Sequence, residues 1–320
     1  MELTAFMSQE LPRIEGLLRE KTDSLSEYVR PCAGHVLAAG GKRLRPLLTI
    51  LSARAFGYGG DVLPLACAME FLHSATLLHD DIVDGSRLRR GKPAAHTVFD
   101  QTAAILTGDA LLALANRMVA ELGDARLTQL LSEAILQTAT GEIMEVAHIR
   151  DFAMPVGKYL EIITGKTARL IEAACLCGAV LAGAGSEGED AAKAFGLNLG
   201  IAFQLADDAL DYTSDALVAG KTTGADLREG KPTLPLLLFL CSLPSREATG
   251  CLEILSDDGE RNRQAETLLK AVTEGGFAEQ TRDRAQAYIA KAEDALAKFP
   301  DAPHRKLLRQ SLSGAAKREK

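Results

Sequence analysis

The stretch His73-Ser-Ala-Thr-Leu-Leu-His-Asp80-Asp81-Ile-Val-Asp84-Gly-Ser-Arg-Leu-Arg89-Arg90-Gly91 decides how this chain reads. Asp80 and Asp84 are four residues apart, so on a helix they share one face, with Asp81 about one turn before Asp84. Three carboxylates so close repel one another unless something neutralises them. The preceding residues, Met69 to Leu78, are mainly apolar with Glu70 as the only acid, so this is not a solvated acidic run. A hard divalent cation is the natural partner, and Mg2+ binds through one or two carboxylates plus phosphate oxygens. Arg89 and Arg90 follow directly, and guanidinium forks bind phosphate. Acid and base together point to a phosphorylated substrate held partly through metal. The plain alternative is a helix C-terminus with solvated charges.

A second copy removes most of that alternative. Gly200-Ile-Ala-Phe203-Gln204-Leu-Ala-Asp207-Asp208-Ala-Leu-Asp211-Tyr212 repeats the Asp-Asp-x-x-Asp spacing after another apolar run. The two motifs are too far apart in sequence to share a helix. Two acid clusters can hold several Mg2+ ions around one diphosphate.

Composition excludes other classes. The chain has 320 residues, net charge −7 and 47% hydrophobic residues. It can bury a sizeable core, and the expectation is a single all-α domain over residues 1–320. No basic excess points to nucleic acid. No uninterrupted apolar run is long enough to span a bilayer. Met1-Glu-Leu-Thr-Ala-Phe6 lacks a basic n-region and an apolar h-region, so a cytoplasmic protein is expected. Six cysteines are scattered, mostly in apolar helical surroundings, and read as buried reduced thiols rather than a zinc site.

Helical spacing recurs along the chain while strand signals stay weak. Residues 1–21 form an amphipathic pattern that Pro12 interrupts. Further helices are expected over about 25–38, 46–56, 62–84, 100–121, 125–149, 155–183, 188–213, 233–242, 246–255, 260–274, 276–298 and 302–317. Gly40-Gly41-Lys42-Arg43-Leu44-Arg45-Pro46 reads as a loop that opens the third of these, with Pro46 in its first turn.

The basic residues make their own pattern. Lys42, Arg43 and Arg45 stand at a helix start, where backbone N–H groups also attract anions. Arg89-Arg90 is a second cluster, and Lys166, Lys221 and Lys231 each follow a Gly. His73 lies two helical turns before Asp80. Each has a bland alternative: solvated loop charges, a core histidine, a snorkelling lysine. Taken together they favour a second anion pocket without carboxylates, so that one diphosphate is held by metal and another by cations. Gln204 precedes Asp207 and Asp208 by one turn, either as a hydrogen-bonding amide in the cavity or as core packing. Thr167 is a substrate-facing hydroxyl or an ordinary helix residue.

These residues resemble the trans-prenyltransferases, the all-trans polyprenyl diphosphate synthases. The resemblance runs from Gly40 to about Pro235. It rests on Gly-Gly-Lys42-Arg-Leu-Arg45-Pro, the first aspartate motif with Arg89-Arg90-Gly, Gly-Lys166-Thr167, Phe-Gln204-x-x-Asp207-Asp208-x-x-Asp211, and Gly-Lys221 followed by Asp-Leu-x-Glu-Gly-Lys231. It implies an antiparallel all-α bundle around a deep central cavity, usually in a homodimer. It also implies that Asp80 and Asp84 ligate Mg2+ on the allylic diphosphate with Asp81 alongside. Asp207 and Asp211 complete the metal set, three ions in all, with Asp208 and Lys166 in the same catalytic group. Lys42, Arg45, His73 and Arg90 match the isopentenyl diphosphate site. Arg89, Lys166, Thr167, Gln204, Lys221 and Lys231 match residues on the allylic substrate. Glu145, in Gly141-Glu-Ile-Met-Glu145, departs from the Gln expected in many relatives, and Lys317-Arg-Glu-Lys320 is like a basic tail of some members.

The chemistry implied is condensation of isopentenyl diphosphate with an allylic diphosphate. The metal makes the allylic diphosphate a better leaving group, the isopentenyl double bond attacks the developing cation, and a proton is lost. Apolar helix walls keep water from the cation. Ala75 and Thr76, five and four residues before Asp80, are small where short-chain relatives carry a bulky aromatic. The expected product is therefore long, in the octaprenyl range, suited to a quinone side chain. The alternatives are a short-chain farnesyl or geranylgeranyl synthase, a terpene cyclase, and a non-catalytic partner subunit. A cyclase normally mixes Asn, Ser or Thr into its second metal motif and needs no Lys42/Arg45/His73 pocket; a silent subunit should have lost an acid motif.

Overall fold

The computed structural model describes residues 2–213 and 223–316. Lys221 and the basic C-terminal residues Lys317 to Lys320 lie outside the described residues. The described chain is helical apart from one two-stranded ribbon. Its helices are α1 (Leu3–Asp23), α2 (Arg30–Ala38), α3 (Leu44–Ala55), α4 (Leu63–Val83), α5 (Ala95–Phe99), α6 (Gln101–Ala120), α7 (Ala125–Ala147), α8 (Val156–Ile163), α9 (Arg169–Leu181) and α10 (Gly185–Thr213). Beyond the undescribed segment come α11 (Ala225–Glu229), α12 (Leu234–Ser242), α13 (Ser245–Ser256), α14 (Asp258–Glu274), α15 (Phe277–Leu296) and α16 (Pro303–Ala316). A π-helical turn, Thr164–Ala168, joins α8 to α9.

Three local features differ from the sequence expectation. Pro12 does not break α1, which runs through it. Ser8, whose carbonyl loses its intrahelical partner, and Pro12 are both exposed, so water can satisfy that carbonyl. The 155–183 run is not one α-helix, because the π turn divides it. Leu88–Arg89 and Lys92–Pro93 pair as antiparallel strands β1 and β2, with Leu88 opposite Pro93. Arg90 and Gly91 connect them, both at positive φ (52° and 75°), the backbone of a tight type I′ hairpin.

Contacts between Cα atoms divide the chain into two compact units. The first comprises residues up to 135, 170–193 and 296–310; the second comprises 136–169, 194–295 and the residues from 311. In the first, α4 packs along α6 and against α3 and α1. Leu65, Met69, Phe71, Leu72, Ala75 and Leu78 of α4 are all buried, as its apolar sequence requires. The Nε2 edge of His79 abuts Gly108 of α6, where any Cβ would overlap the imidazole, and Nε2 is 3.1 Å from the Ile105 carbonyl. α6 is long and apolar enough to cross a membrane by length and composition, yet its Leu111, Leu114, Ala115 and Met118 are buried in this core. The second unit closes over Tyr212, Leu227, Leu236, Leu255, Leu268 and Val272.

Candidate active site

In the first unit the loop before α3 is shaped by Arg43. This residue adopts φ 47° and is almost fully buried. Its guanidinium reaches Glu15 at 2.7 Å, Glu70 at 2.6 Å and the Leu37 carbonyl at 2.8 Å. Every arm is satisfied internally, so Arg43 is a structural tie. Lys42 is exposed. Arg45 has a buried Nε with no hydrogen-bond partner among the described residues. Burial lowers its pKa to about 10, Arg90 works in the same direction, and Glu70 and Asp80 oppose. A buried donor without an acceptor is costly and suits an anionic ligand.

His73, on α4, is held neutral. Burial pushes its imidazole well below the usual histidine range, and Arg45, Arg90, Arg89 and Arg43 push it the same way. Arg90 lies across Gly41, where a Cβ would come within 2.5 Å of Nη1. Gly41 itself is at φ 148°, a backbone conformation that glycine takes without strain. One turn beyond His73, the Thr76 hydroxyl donates to the His73 carbonyl (2.9 Å), and Ala75 is fully buried.

The three acids of the first motif do not stand alike. Asp80 and Asp84 are half-buried at the end of α4, four residues apart on one side of it. Asp81 is buried and engaged by Arg89, whose Nε donates to Oδ1 at 2.8 Å. The hairpin thus neutralises the middle carboxylate of the motif.

In the second unit a cavity of about 120 Å³ is lined by Tyr159, Lys166, Thr167, Gln204, Asp208 and Lys231 among others. The π turn places consecutive Lys166 and Thr167 on this wall; such turns concentrate at functional positions. It packs against α7 through Gly141 and Gly165, where a Cβ on Gly165 would sit 2.9 Å from the Gly141 Cα. A relay of hydrogen bonds crosses the wall. The Thr167 hydroxyl donates to Gln204 Oε1 (2.8 Å), and Gln204 Nε2 donates to Asp208 Oδ1 (2.7 Å). The Tyr159 hydroxyl donates to Asp208 Oδ2 (2.5 Å). Burial still pushes the Asp208 carboxyl up to about 6 against these two donors, with Glu145 and Asp211 adding to the rise.

Asp207 is half-buried. Asp211 accepts the backbone N–H groups of Ala225 (3.2 Å) and Asp226 (3.1 Å), and so caps α11. Asp226, on this short helix, is pushed well above the usual carboxylate range by desolvation and by Asp211 and Asp208, with Lys231 opposing. Lys231 pairs with Glu229 at 2.9 Å, and Lys166 is gripped by Glu142 and Glu145.

The structure therefore gathers Lys166, Thr167, Gln204, Asp208 and Lys231 around one cavity, and Arg45, His73 and Arg90 around one electropositive loop. Tyr159 is a site residue that spacing does not announce, since it meets its partner from 49 positions away. Asp226 had a signal, since it opens the Asp-Leu-x-Glu-Gly-Lys231 segment.

The family model for polyprenyl synthetase matches residues 26–272. The chain belongs to this family. It is 38% identical over 308 residues to an octaprenyl diphosphate synthase of Escherichia coli K12, covering 96% of this chain and 94% of that one. The crystal structure of a polyprenyl synthase from Caulobacter crescentus, complexed with calcium and isoprenyl diphosphate, is similar with a TM-score of 0.92 and 39% identity, over 99% of this chain and 97% of that one. A decaprenyl diphosphate synthase from Rhodobacter capsulatus is similar with a TM-score of 0.90 and 35% identity, over 99% and 98% of the two chains. The chain is thus a trans-prenyltransferase with the all-α isoprenoid synthase fold.

Members of this family depend on Mg2+. The donor chemistry fits a hard cation: within the first unit, half-buried Asp80 and Asp84 carry carboxylate oxygens four residues apart on one side of α4.

Proposed function

We propose that this prenyltransferase joins isopentenyl diphosphate to an allylic diphosphate, head to tail (1′-4), and repeats the step to a long all-trans polyprenyl diphosphate in the octaprenyl range, for a quinone side chain. The observation that carries the two-substrate reading is the buried, partnerless Nε of Arg45 among Arg90 and a neutral His73. Arg45, His73 and Arg90 together make an anion pocket. A one-substrate cyclase has no use for it.

In this reading Lys42, Arg45, His73 and Arg90 hold isopentenyl diphosphate. Arg89, Lys166, Thr167, Gln204, Lys221 and Lys231 serve the allylic diphosphate. Asp80, Asp84, Asp207 and Asp211 would hold Mg2+, three ions in all, which would supply the positive charge that makes an allylic diphosphate a better leaving group. Asp81 keeps Arg89 aligned, and Tyr159 and Gln204 fix the carboxylate of Asp208. Neutral His73 offers a hydrogen bond to an anion without adding charge.

Residues 1–320 act as one functional domain, in the cytoplasm and as a homodimer. Exposed apolar side chains support the dimer: Val98, Ile105 and Leu106 on the first unit, and Leu136, Ile143 and Val146 along α7 on the second. Purified protein incubated with Mg2+, isopentenyl diphosphate and farnesyl diphosphate, followed by product chromatography, tests the proposal. Long all-trans chains are expected; a cyclic hydrocarbon, a product that stops at geranylgeranyl, or no turnover without a second protein would each refute it.

A further inference from the structure

Gly141-Glu-Ile-Met-Glu145 has no part in the reading above, yet it stands against the cavity. Glu142 and Glu145 are three apart on α7 and so lie on one side of it. Both carboxylates engage the Lys166 ammonium, Glu142 at 3.0 Å and Glu145 in a shorter contact. The backbone enforces this meeting. Gly141 and Gly165 bring α7 and the π turn together so closely that a Cβ on Gly141 would overlap the Lys166 backbone nitrogen. The three charged side chains keep only about a fifth of their surface exposed (21% for Lys166, 20% for Glu145, 16% for Glu142). Charges so far removed from water act on one another more strongly than at the surface. Glu145 also lines the cavity that holds Gln204, Asp208 and Lys231.

We infer that Glu145 is a built-in competitor of the diphosphate: its carboxylate occupies the Lys166 ammonium that an allylic diphosphate or released pyrophosphate needs, and so sets how tightly these anions are held. The inference rests on the placement of Lys166 on the allylic diphosphate. Carboxylate and phosphate oxygens are equivalent charge-assisted acceptors for an ammonium. An incoming diphosphate must take the ammonium over from Glu145, or share it and lie beside a like charge. Either lowers affinity. Glu142 keeps Lys166 in position when Glu145 lets go. Each condensation sheds one pyrophosphate, and recapture of Lys166 by Glu145 favours its departure before the next round.

The test uses four full-length proteins: wild type, Glu145→Gln, Lys166→Met and the double variant. The readouts are inhibition by pyrophosphate at fixed Mg2+, KM for farnesyl diphosphate, KM for isopentenyl diphosphate, and the Mg2+ concentration for half-maximal rate. Glu145→Gln is expected to tighten pyrophosphate inhibition and lower the farnesyl diphosphate KM by about three- to tenfold, with the isopentenyl KM and Mg2+ requirement unchanged. In the Lys166→Met background the Glu145→Gln effect should vanish, as coupled residues in a double-mutant cycle require. Weaker pyrophosphate binding with a raised Mg2+ requirement in Glu145→Gln would overturn the inference and make Glu145 a metal-side group. Unchanged affinities in Glu145→Gln, with Lys166→Met clearly weakened, would overturn it while leaving Lys166 on the diphosphate. Unchanged affinities in Lys166→Met would overturn both.

Discussion

The Tyr159 hydroxyl donates to Asp208 across 2.5 Å, inside the second unit. Both side chains are buried, and burial raises both pKa values, the phenol well above 10 and the carboxyl to about 6. A buried carboxylate keeps its charge only where donors surround it. Asp208 has two, Tyr159 and Gln204. Tyr159→Phe removes one of them while keeping the ring. A hydrogen bond to a charged group is worth about 1.5–3 kcal/mol, so turnover should fall about ten- to a hundredfold. Steady-state kinetics beside circular dichroism checks this; a folded Tyr159→Phe enzyme at wild-type kcat would mean that Asp208 does not depend on the phenol.

Asp211 is expected to act on the loop that follows it. Its two carboxylate oxygens cap α11, and the Lys231 N–H in turn bonds to the Asp226 carbonyl at 2.8 Å. The other end of α11 is held by Arg261, whose guanidinium lies 3.2 Å from the Arg228 carbonyl and 2.8 Å from the Leu255 carbonyl. Asp211→Ala should expose residues 225–231 to faster hydrogen exchange and raise the allylic KM, whereas Asp211→Asn keeps an acceptor and should retain most protection. Arg261→Met leaves those carbonyls without their donor and should cost about 2–4 kcal/mol of stability, read by thermal or urea unfolding. If Asp211→Ala leaves exchange at 225–231 untouched, the carboxylate is not the anchor.

His73 should stay neutral across the physiological range. Its pKa lies well below 6.5 in the folded protein, because of burial first and four nearby guanidinium groups second. In the unfolded chain it protonates near 6.5. Below that pH the unfolded state binds the extra proton, so stability falls as pH drops from about 6.5 toward the folded pKa. His73→Asn should flatten this acid-side loss. Nuclear magnetic resonance of ring-labelled histidine should show the His73 signal unmoved from pH 7.5 to 6, with and without isopentenyl diphosphate; a titration in that range would mean that His73 is not held neutral.

The long elements were legible because their chemistry repeats. α4 shows Pro64 in its first turn, a mainly apolar stretch and acids at its end, and the structure ends it at Val83. α5, α11 and the 88–93 hairpin are too short to carry a period, so nothing in the pattern announced them. The π turn was invisible because Ile-Ile-Thr-Gly-Lys-Thr reads as ordinary helix; only the approach of Gly141 reveals why Gly165 is there. In the site, the clustering of acids could be read from spacing alone. Their unequal roles could not, since Asp81 is claimed by Arg89 across a hairpin and Asp208 by Tyr159 from another helix. Charge is written in the sequence, but its compensation is set by the fold.

Product length provides the last prediction. Ala75 is fully buried and Thr76 half-buried on α4, with Leu72 buried a further turn back. These two positions lie four and five residues before Asp80, a rise of roughly 6–8 Å along the helix. On the proposed reading, a prenyl chain growing from a diphosphate held at Asp80 passes these two small side chains and continues. Ala75→Phe puts a ring on that path. The first condensation should proceed at near the wild-type rate, while the product shortens to about three or four isoprene units. An aromatic forced into a packed position costs about 1–3 kcal/mol, so a lower unfolding temperature is expected alongside. The two effects separate cleanly, because lost stability alone lowers total activity without changing chain length. Chromatography of the extracted products decides the matter: an unchanged distribution from folded Ala75→Phe protein would show that the chain grows along another path.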